Sequence, residues 1–339
     1  MFCSYQSANS VYILLALFLT FNSVILKQMS IKEGIKFLGL SGVSLIASSL
    51  IYKLIAVKEV DTYVGSSMLP LNELFVGVIK NLIRYLQILY TDFVQGGASV
   101  FFIFVCVICV IFIIAVIINR KNFAYFFIAL LFLVICVSLS YGLYLVLVKP
   151  LFVPRAFNGI GAFVALLCLS TLILLPKVSR LNSICKICVA LFGYVCIAFA
   201  NSYGNAITKQ QEYIMFRTNL VLSDLLRLGV DSNNVGVTIK GSIGYAPATK
   251  RLVSEHKAVG RIIPILISEG WYWNASAFWH LKSPYTMYYN PKECEGLKNK
   301  SSKYQKRFSE SKILLDNEYH TISQFNSCVI LTLKTQDSQ

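Results

Sequence analysis

The sequence is short of charge, and above all of carboxylates. Only 14% of its 339 residues are charged, where an ordinary soluble domain carries about a quarter. Asp and Glu number 16 against 31 Lys and Arg, and no acid lies between Asp92 and Glu212. So long a stretch without a carboxylate is rare in water and expected in lipid, where ionised groups are expensive. No GxSxG nucleophile elbow occurs, and no glycine-rich phosphate loop, which disfavours a soluble nucleotide-dependent enzyme. His256, His280 and His320 have no metal-ligand spacing, so no metal site is expected. No repeat of fixed period is visible. Disorder is excluded too, because 56% of the residues are hydrophobic and the mean hydropathy is +0.64.

What fills the chain instead is long apolar runs. Six segments, at about 11–26, 37–57, 98–118, 123–148, 159–176 and 187–203, approach the ~20 residues that cross a bilayer core. Val100 to Asn119 (VFFIFVCVICVIFIIAVIIN) is the clearest. The net charge of +15 would suggest nucleic acid in a soluble protein. Here much of it falls in three short links, with Lys27, Lys32 and Lys36 in the first, Arg120 and Lys121 in the second, and Lys177, Arg180 and Lys186 in the third. Basic loops mark the cytoplasmic side. Nucleic acid is therefore not an expected partner, and Met1, the 58–97 loop, the 149–158 loop and everything after residue 203 are expected on the outer side. MFCSYQSANS has no basic n-region and does not read as a cleavable signal peptide. An outside start points to a weak retained first helix or to missing upstream helices.

Within the 58–97 loop, Leu71, Phe75, Val78, Leu82, Tyr85, Leu89 and Phe93 recur at spacings of three and four. Glu73, Lys80, Arg84, Gln87 and Thr91 take the other face. The spacing predicts an amphipathic helix over 71–93, either a lid on the bundle or a wall of a lipid-facing groove. Beyond residue 203 the pattern is that of a water-soluble domain. A helix is expected over Gln210 to Leu228 with Gly229 as its stop, a strand over Val235 to Ile239, a helix over Gly270 to Lys282, and a closing strand over Ser327 to Lys334. The expected architecture is a membrane α-helical bundle of about six transmembrane helices (1–203), followed by a small α/β extracytoplasmic domain (204–339).

Eight of the ten Cys lie in residues 1–203, mostly inside apolar runs, where they read as small buried hydrophobes and not as a zinc site. Cys294 and Cys328 would face an oxidising compartment, where a disulfide is their natural pairing. Chemistry on a membrane-borne substrate would fall to outward-facing charges: Glu59, Asp61, Glu73 and Asp92 in the long loop, Lys149 and Arg155 in the next, and Glu212. Arg155, in Val153-Pro154-Arg155-Ala156-Phe157-Asn158-Gly159, suits bidentate capture of phosphate oxygens or snorkelling to lipid headgroups.

Pro154-Arg155, Asn201-Ser202-Tyr203-Gly204-Asn205-Ala206, the run from Gln210-Gln211-Glu212 to Asp224-Leu225-Leu226, Val237-Thr238-Ile239-Lys240-Gly241, Ala246-Pro247 and Ile263-Pro264-Ile265-Leu266 together carry a resemblance. With the terminal hydrophobic strand, they make the chain similar to the serotype-converting O-antigen glucosyltransferases of phages and enterobacteria. The resemblance implies a GT-C-like fold in the bacterial inner membrane, multi-pass, with a periplasmic C-terminal domain. It implies transfer of glucose from undecaprenyl-phosphate glucose to the O-antigen glycolipid of lipopolysaccharide, without a cofactor. Family members are longer at the N-terminus and carry outward-facing acids near their first crossings. On that comparison the chain lacks the N-terminal helices, and is inactive if the catalytic base belongs there.

Such a reaction needs a carboxylate for the proton of the attacking hydroxyl and fixed cations for the departing lipid phosphate. Arg155, assisted by Lys149, is the expected phosphate ligand, and Asp61 and Glu59 are the expected bases, against the plainer reading of a solvated loop. Two other functions compete. One is a transporter or flippase of a lipid-linked sugar, though repeats and mid-membrane charges beyond Lys53 are not evident. The other is a non-catalytic membrane protein with a periplasmic glycan-binding domain, using the Trp/Tyr-rich 271–289 stretch for stacking.

Overall fold

The computed structural model describes residues 9–55, 67–95, 98–153, 156–176, 179–231, 235–269, 275–288, 311–325 and 328–335. Its helices are α1 (Asn9–Ile25), α2 (Ile31–Ile55), α3 (Leu74–Tyr90), α4 (Ser99–Arg120), α5 (Ala124–Leu139), α6 (Asn158–Leu174), α7 (Arg180–Arg227), α8 (Pro247–Glu255), α9 (Lys257–Ile262) and α10 (Ser276–His280). The strands are β1 (Gly236–Gly241), β2 (Thr286–Tyr288), β3 (Lys312–Asp316), β4 (His320–Phe325) and β5 (Cys328–Leu333). The chain divides into two compact units, 1–199 with 256–261, and 200–255 with 262–339.

In the first unit, a helix forms at each of the six apolar runs. Among the described residues, three are long and apolar enough to cross a membrane: Ile31–Ile51 of α2, α4 and α7. The others, α1, α5 and α6, have 17, 16 and 17 residues, about 25 Å each, a little short of a ~30 Å hydrocarbon core. Phe18 and Phe21 of α1, Phe112 of α4, Phe132 of α5 and Phe163 of α6 form the aromatic centre of this core, with Phe21 stacked on Phe132 at 3.9 Å.

Two polar junctions fix the ends of these helices. At one, the Arg120 guanidinium donates to the Val24 carbonyl, and Asn119 Nδ2 donates to Leu174 O at 2.7 Å. The C-terminal ends of α1, α4 and α6 therefore meet, and the three basic links leave from that end. At the other, the start of α6 abuts the end of α5 and the start of α1 so closely that a Cβ on Gly159 would lie 1.8 Å from Ser140 O. Only glycine fits there.

The second unit holds one mixed sheet in the order β2-β1-β5-β4-β3. β1 runs parallel to β2 and β5, and β4 is antiparallel to β5 and β3. Val237, Ile239, Val329, Leu331 and Ile322 of the sheet pack against Ile214, Val221 and Leu225 of α7. Gly241, at φ +75°, ends β1 where a Cβ would lie 2.7 Å from Leu333 O, closer than a side chain tolerates. Arg217, wholly buried, donates to the hydroxyl of Tyr213 at 2.6 Å and to the carbonyls of Tyr319 and Lys334.

The largest departure from the sequence-based expectation is α7. Separate helices over 187–203 and 210–228 are one helix of 48 residues. Gly204 and the flanking Asn residues cost a helix about 1 kcal/mol or less apiece, and no proline interrupts the run. The helix expected over Gly270 to Lys282 is realised in Ser276–His280, residues 270–274 lying outside the described residues.

Candidate functional site

The densest set of polar contacts in the first unit lies where α3 packs on the segment between α5 and α6. Asn81 is buried because its Nδ2 donates to the carbonyls of Leu145 and Leu147, both at 2.9 Å. Those carbonyls sit at the end of a 3-10 turn, Gly142–Val146. One turn further along α3, the Tyr85 hydroxyl bonds to Ser140 Oγ at 2.8 Å. Its ring stacks on Tyr141 with centroids 4.7 Å apart. Tyr141 in turn stacks on Phe152, and Phe152 carries the Arg84 guanidinium on its face at 4.5 Å. Each such contact contributes about 0.5–1.5 kcal/mol beyond burial. The ladder Tyr85–Tyr141–Phe152–Arg84 thus holds a cation in a fixed place.

That cation borders a groove of about 390 Å³ lined by Arg84, Gln87, Ile88, Thr91, Phe152 and Arg261. After Tyr90 the helix loosens into a π-helical turn, Thr91–Gln95, a distortion often found at functional sites. This turn carries Asp92, which is 8% exposed. Its Oδ1 stands 3.2 Å from Arg261 Nε of α9, off the axis of a hydrogen bond. Burial pushes the Asp92 carboxyl up from its ordinary value, and the Arg261 guanidinium pulls it part of the way back.

The residues singled out from sequence stand as follows. Glu59, Asp61, Arg155 and Cys294 lie outside the described residues. Lys149 is exposed, just after the 3-10 turn. The backbone N–H of its neighbour Val148 donates to Ser67 O at 2.9 Å, and Met68 pairs with Leu147, so the long loop and the Lys149 loop are joined at that point. Val153, which precedes Pro154-Arg155, and Ala156, which follows, both belong to the Tyr85–Tyr141 cluster. Cys328 is in a disulfide whose partner lies outside the described residues. Trp279 is exposed, while Trp271 and Trp273 lie outside the described residues. Among the described residues, no cluster of His, Cys, Asp and Glu could hold a metal ion. Sequence reasoning placed Arg84 on a polar helix face and passed over Arg261. Nothing local marks a residue whose partner, Asp92, is so distant along the chain.

Among the described residues, three helices long and apolar enough to cross a bilayer are consistent with a membrane protein. Residues 1–166 match the family model described as Glucosyl transferase GtrII. The match falls on just under half of the chain and bears out the resemblance read from the sequence. The chain is also 26% identical over 129 residues to an "Uncharacterized 55.3 kDa protein in gtrB 5'region" of Salmonella phage P22. The aligned stretch is 37% of this chain and 25% of that relative, so only a quarter of the relative's length is spanned. No solved structure matches the chain.

Proposed function

We propose that the protein is a membrane glucosyltransferase that moves glucose from undecaprenyl-phosphate glucose to the O-antigen repeats of lipopolysaccharide. The observation that carries this reading is the GtrII family match over residues 1–166, which takes in Arg84, Asp92, Lys149 and Arg155. The donor arrives from the bilayer, so no nucleotide-binding domain is needed. The reaction lies on the periplasmic face of a bacterial inner membrane, in a bundle of six crossings with the sheet unit on the same side. The gathering of three basic links at one end of the helices and of α3 at the other supports that orientation.

In this mechanism an acceptor hydroxyl attacks C1 of the glucose, and Asp61 or Glu59 takes its proton. The C1–O bond breaks, its electron pair passes to the phosphate oxygen, and undecaprenyl phosphate departs. Arg155, with Lys149, stabilises the charge that develops on that phosphate. Cys294 is the disulfide partner of Cys328. Unchanged mobility on non-reducing gels after Cys294→Ser would refute that pairing. The reading as a whole is tested by expressing the chain in an O-antigen-bearing host that makes the donor. Glucosylated lipopolysaccharide is expected, and Arg155→Ala should remove it; a lipopolysaccharide of unchanged mass sinks the reading.

A further inference from the structure

Around α3 the side chains sort into three stripes. Val78, Asn81, Leu82, Tyr85 and Leu89 face the protein. Val76, Ile79, Ile83, Leu86 and Tyr90 form an exposed apolar stripe, between 40% and 69% accessible. Between the two runs a narrow polar stripe of Lys80, Arg84, Gln87 and Thr91, spaced by three and four. An exposed apolar stripe of this kind suits the acyl region of a bilayer, and the polar stripe beside it would then lie at headgroup level.

The groove opens from this polar stripe. Arg84 is held from one side by the Phe152 face, and among the described residues no carboxylate pairs with it. Arg261 turns its Nε edge toward Asp92 at 3.2 Å as an ion pair without a hydrogen bond, so its N–H groups remain for another acceptor. Two guanidinium ions and one buried carboxylate leave the groove with one net positive charge. The ligand that fits is a singly charged group with several oxygens, small enough for about 390 Å³ at its charged end. We propose that the Arg84–Arg261 groove binds a phosphate ester, with each guanidinium donating to its non-bridging oxygens and the lipid chain of the ester lying along the Ile79–Ile83–Leu86–Tyr90 stripe. A phosphodiester carries one negative charge and matches the groove. Arg84 and Arg261 are therefore phosphate-binding residues in addition to Arg155 and Lys149. The inference rests on the glucosyltransferase reading only for the identity of the lipid donor.

The test is binding, measured apart from transfer, on the full chain in lipid nanodiscs. One arm adds undecaprenyl-phosphate glucose, the phosphodiester, to the bilayer, and the other adds inorganic phosphate to the buffer. The expected result is saturable binding of undecaprenyl-phosphate glucose that falls at least about tenfold in Arg84→Gln and in Arg261→Gln, the loss that follows removal of a charge-assisted bond. Arg84→Lys should recover part of it, because Lys keeps the charge and not the fork. Lys80→Gln removes an equal charge from the same stripe outside the groove, and should bind as the parent does. Inorganic phosphate should compete poorly. If it binds as tightly and with the same Arg dependence, the lipid part of the proposal is wrong. Equal binding by the parent and both Gln variants, or an equal loss in Lys80→Gln, overturns the phosphate site. Glucosyl transfer that fails while Arg-dependent binding persists overturns the functional reading and leaves this site standing.

Discussion

Asp92 and Arg261 meet at 3.2 Å across a long separation in sequence, one in a π-helical turn and the other in a two-turn helix. Burial costs the carboxylate more than the guanidinium returns, so its pKa is raised above the ordinary 3.8. In the pH range between the unfolded and folded values, the folded chain keeps a proton on Asp92 that the unfolded chain has released, and above that range the carboxylate is charged in both. Stability from this residue falls as pH rises through the window above 3.8 and is not regained at neutrality. Asp92→Asn should therefore leave the thermal midpoint of the detergent-purified protein at pH 7 unchanged or raised. A clear drop would show that the ion pair is a net structural support.

Gly159 and Gly161 sit two residues apart on α6 and should respond oppositely to Ala. A Cβ at Gly159 would stand 1.8 Å from Ser140 O and 2.5 Å from Ser10 Oγ, whereas one at Gly161 meets nothing within 4 Å. Gly159→Ala should cost at least about 1–3 kcal/mol. Gly161→Ala should be neutral, or stabilise by up to about 1 kcal/mol. Melting of the two variants side by side checks this, and equal midpoints would contradict the close packing of α5, α6 and α1.

His320, fully buried in the sheet unit, is held below its ordinary 6.5 by burial first and by the nearby cations Arg217 and Lys334, while Asp224 at 3.2 Å pulls it upward. The unfolded chain then takes up a proton near pH 6.5 that the folded chain refuses. Stability is full above pH 6.5 and falls below it, at most by about 1.4 kcal/mol per pH unit. Amide exchange in β4 and β5, corrected for intrinsic rate, should be less protected at pH 5.5 than at 7.5. Equal protection would mean that the ring is already charged in the folded state.

The orientation of the membrane unit is open to a direct check. An alkaline phosphatase fusion at residue 210 should be active, because that enzyme folds only in an oxidising compartment. Activity of a cytoplasmic reporter alone at the same position would reverse the topology.

The sequence carried the local parts of this fold well. Apolar length and strand alternation are properties of a few neighbouring residues, so the apolar helices and the strands at Gly236–Gly241 and Cys328–Leu333 could be read directly. On α3 the periodicity was ambiguous, because two apolar stripes flank one polar stripe. Phe75 and Leu71, which the spacing groups with the packed residues, are 78% and 91% exposed, while Val78, Leu82, Tyr85 and Leu89 pack. The break expected near Tyr203 failed because Gly and Asn weaken a helix without ending it, whereas proline would have. The Arg84–Arg261 groove was not legible at all. It depends on the Phe152 platform and on Asp92, contacts that exist only once distant segments are folded together.

The most direct test is transfer itself. Membranes containing this chain are supplied with undecaprenyl-phosphate [14C]glucose and O-antigen lipopolysaccharide, and label in the lipopolysaccharide is counted against membranes without the chain. Label well above that background, reduced in Arg155→Ala, is the expected result. Label at background, with intact donor recovered from the bilayer, would contradict the assignment as a glucosyltransferase.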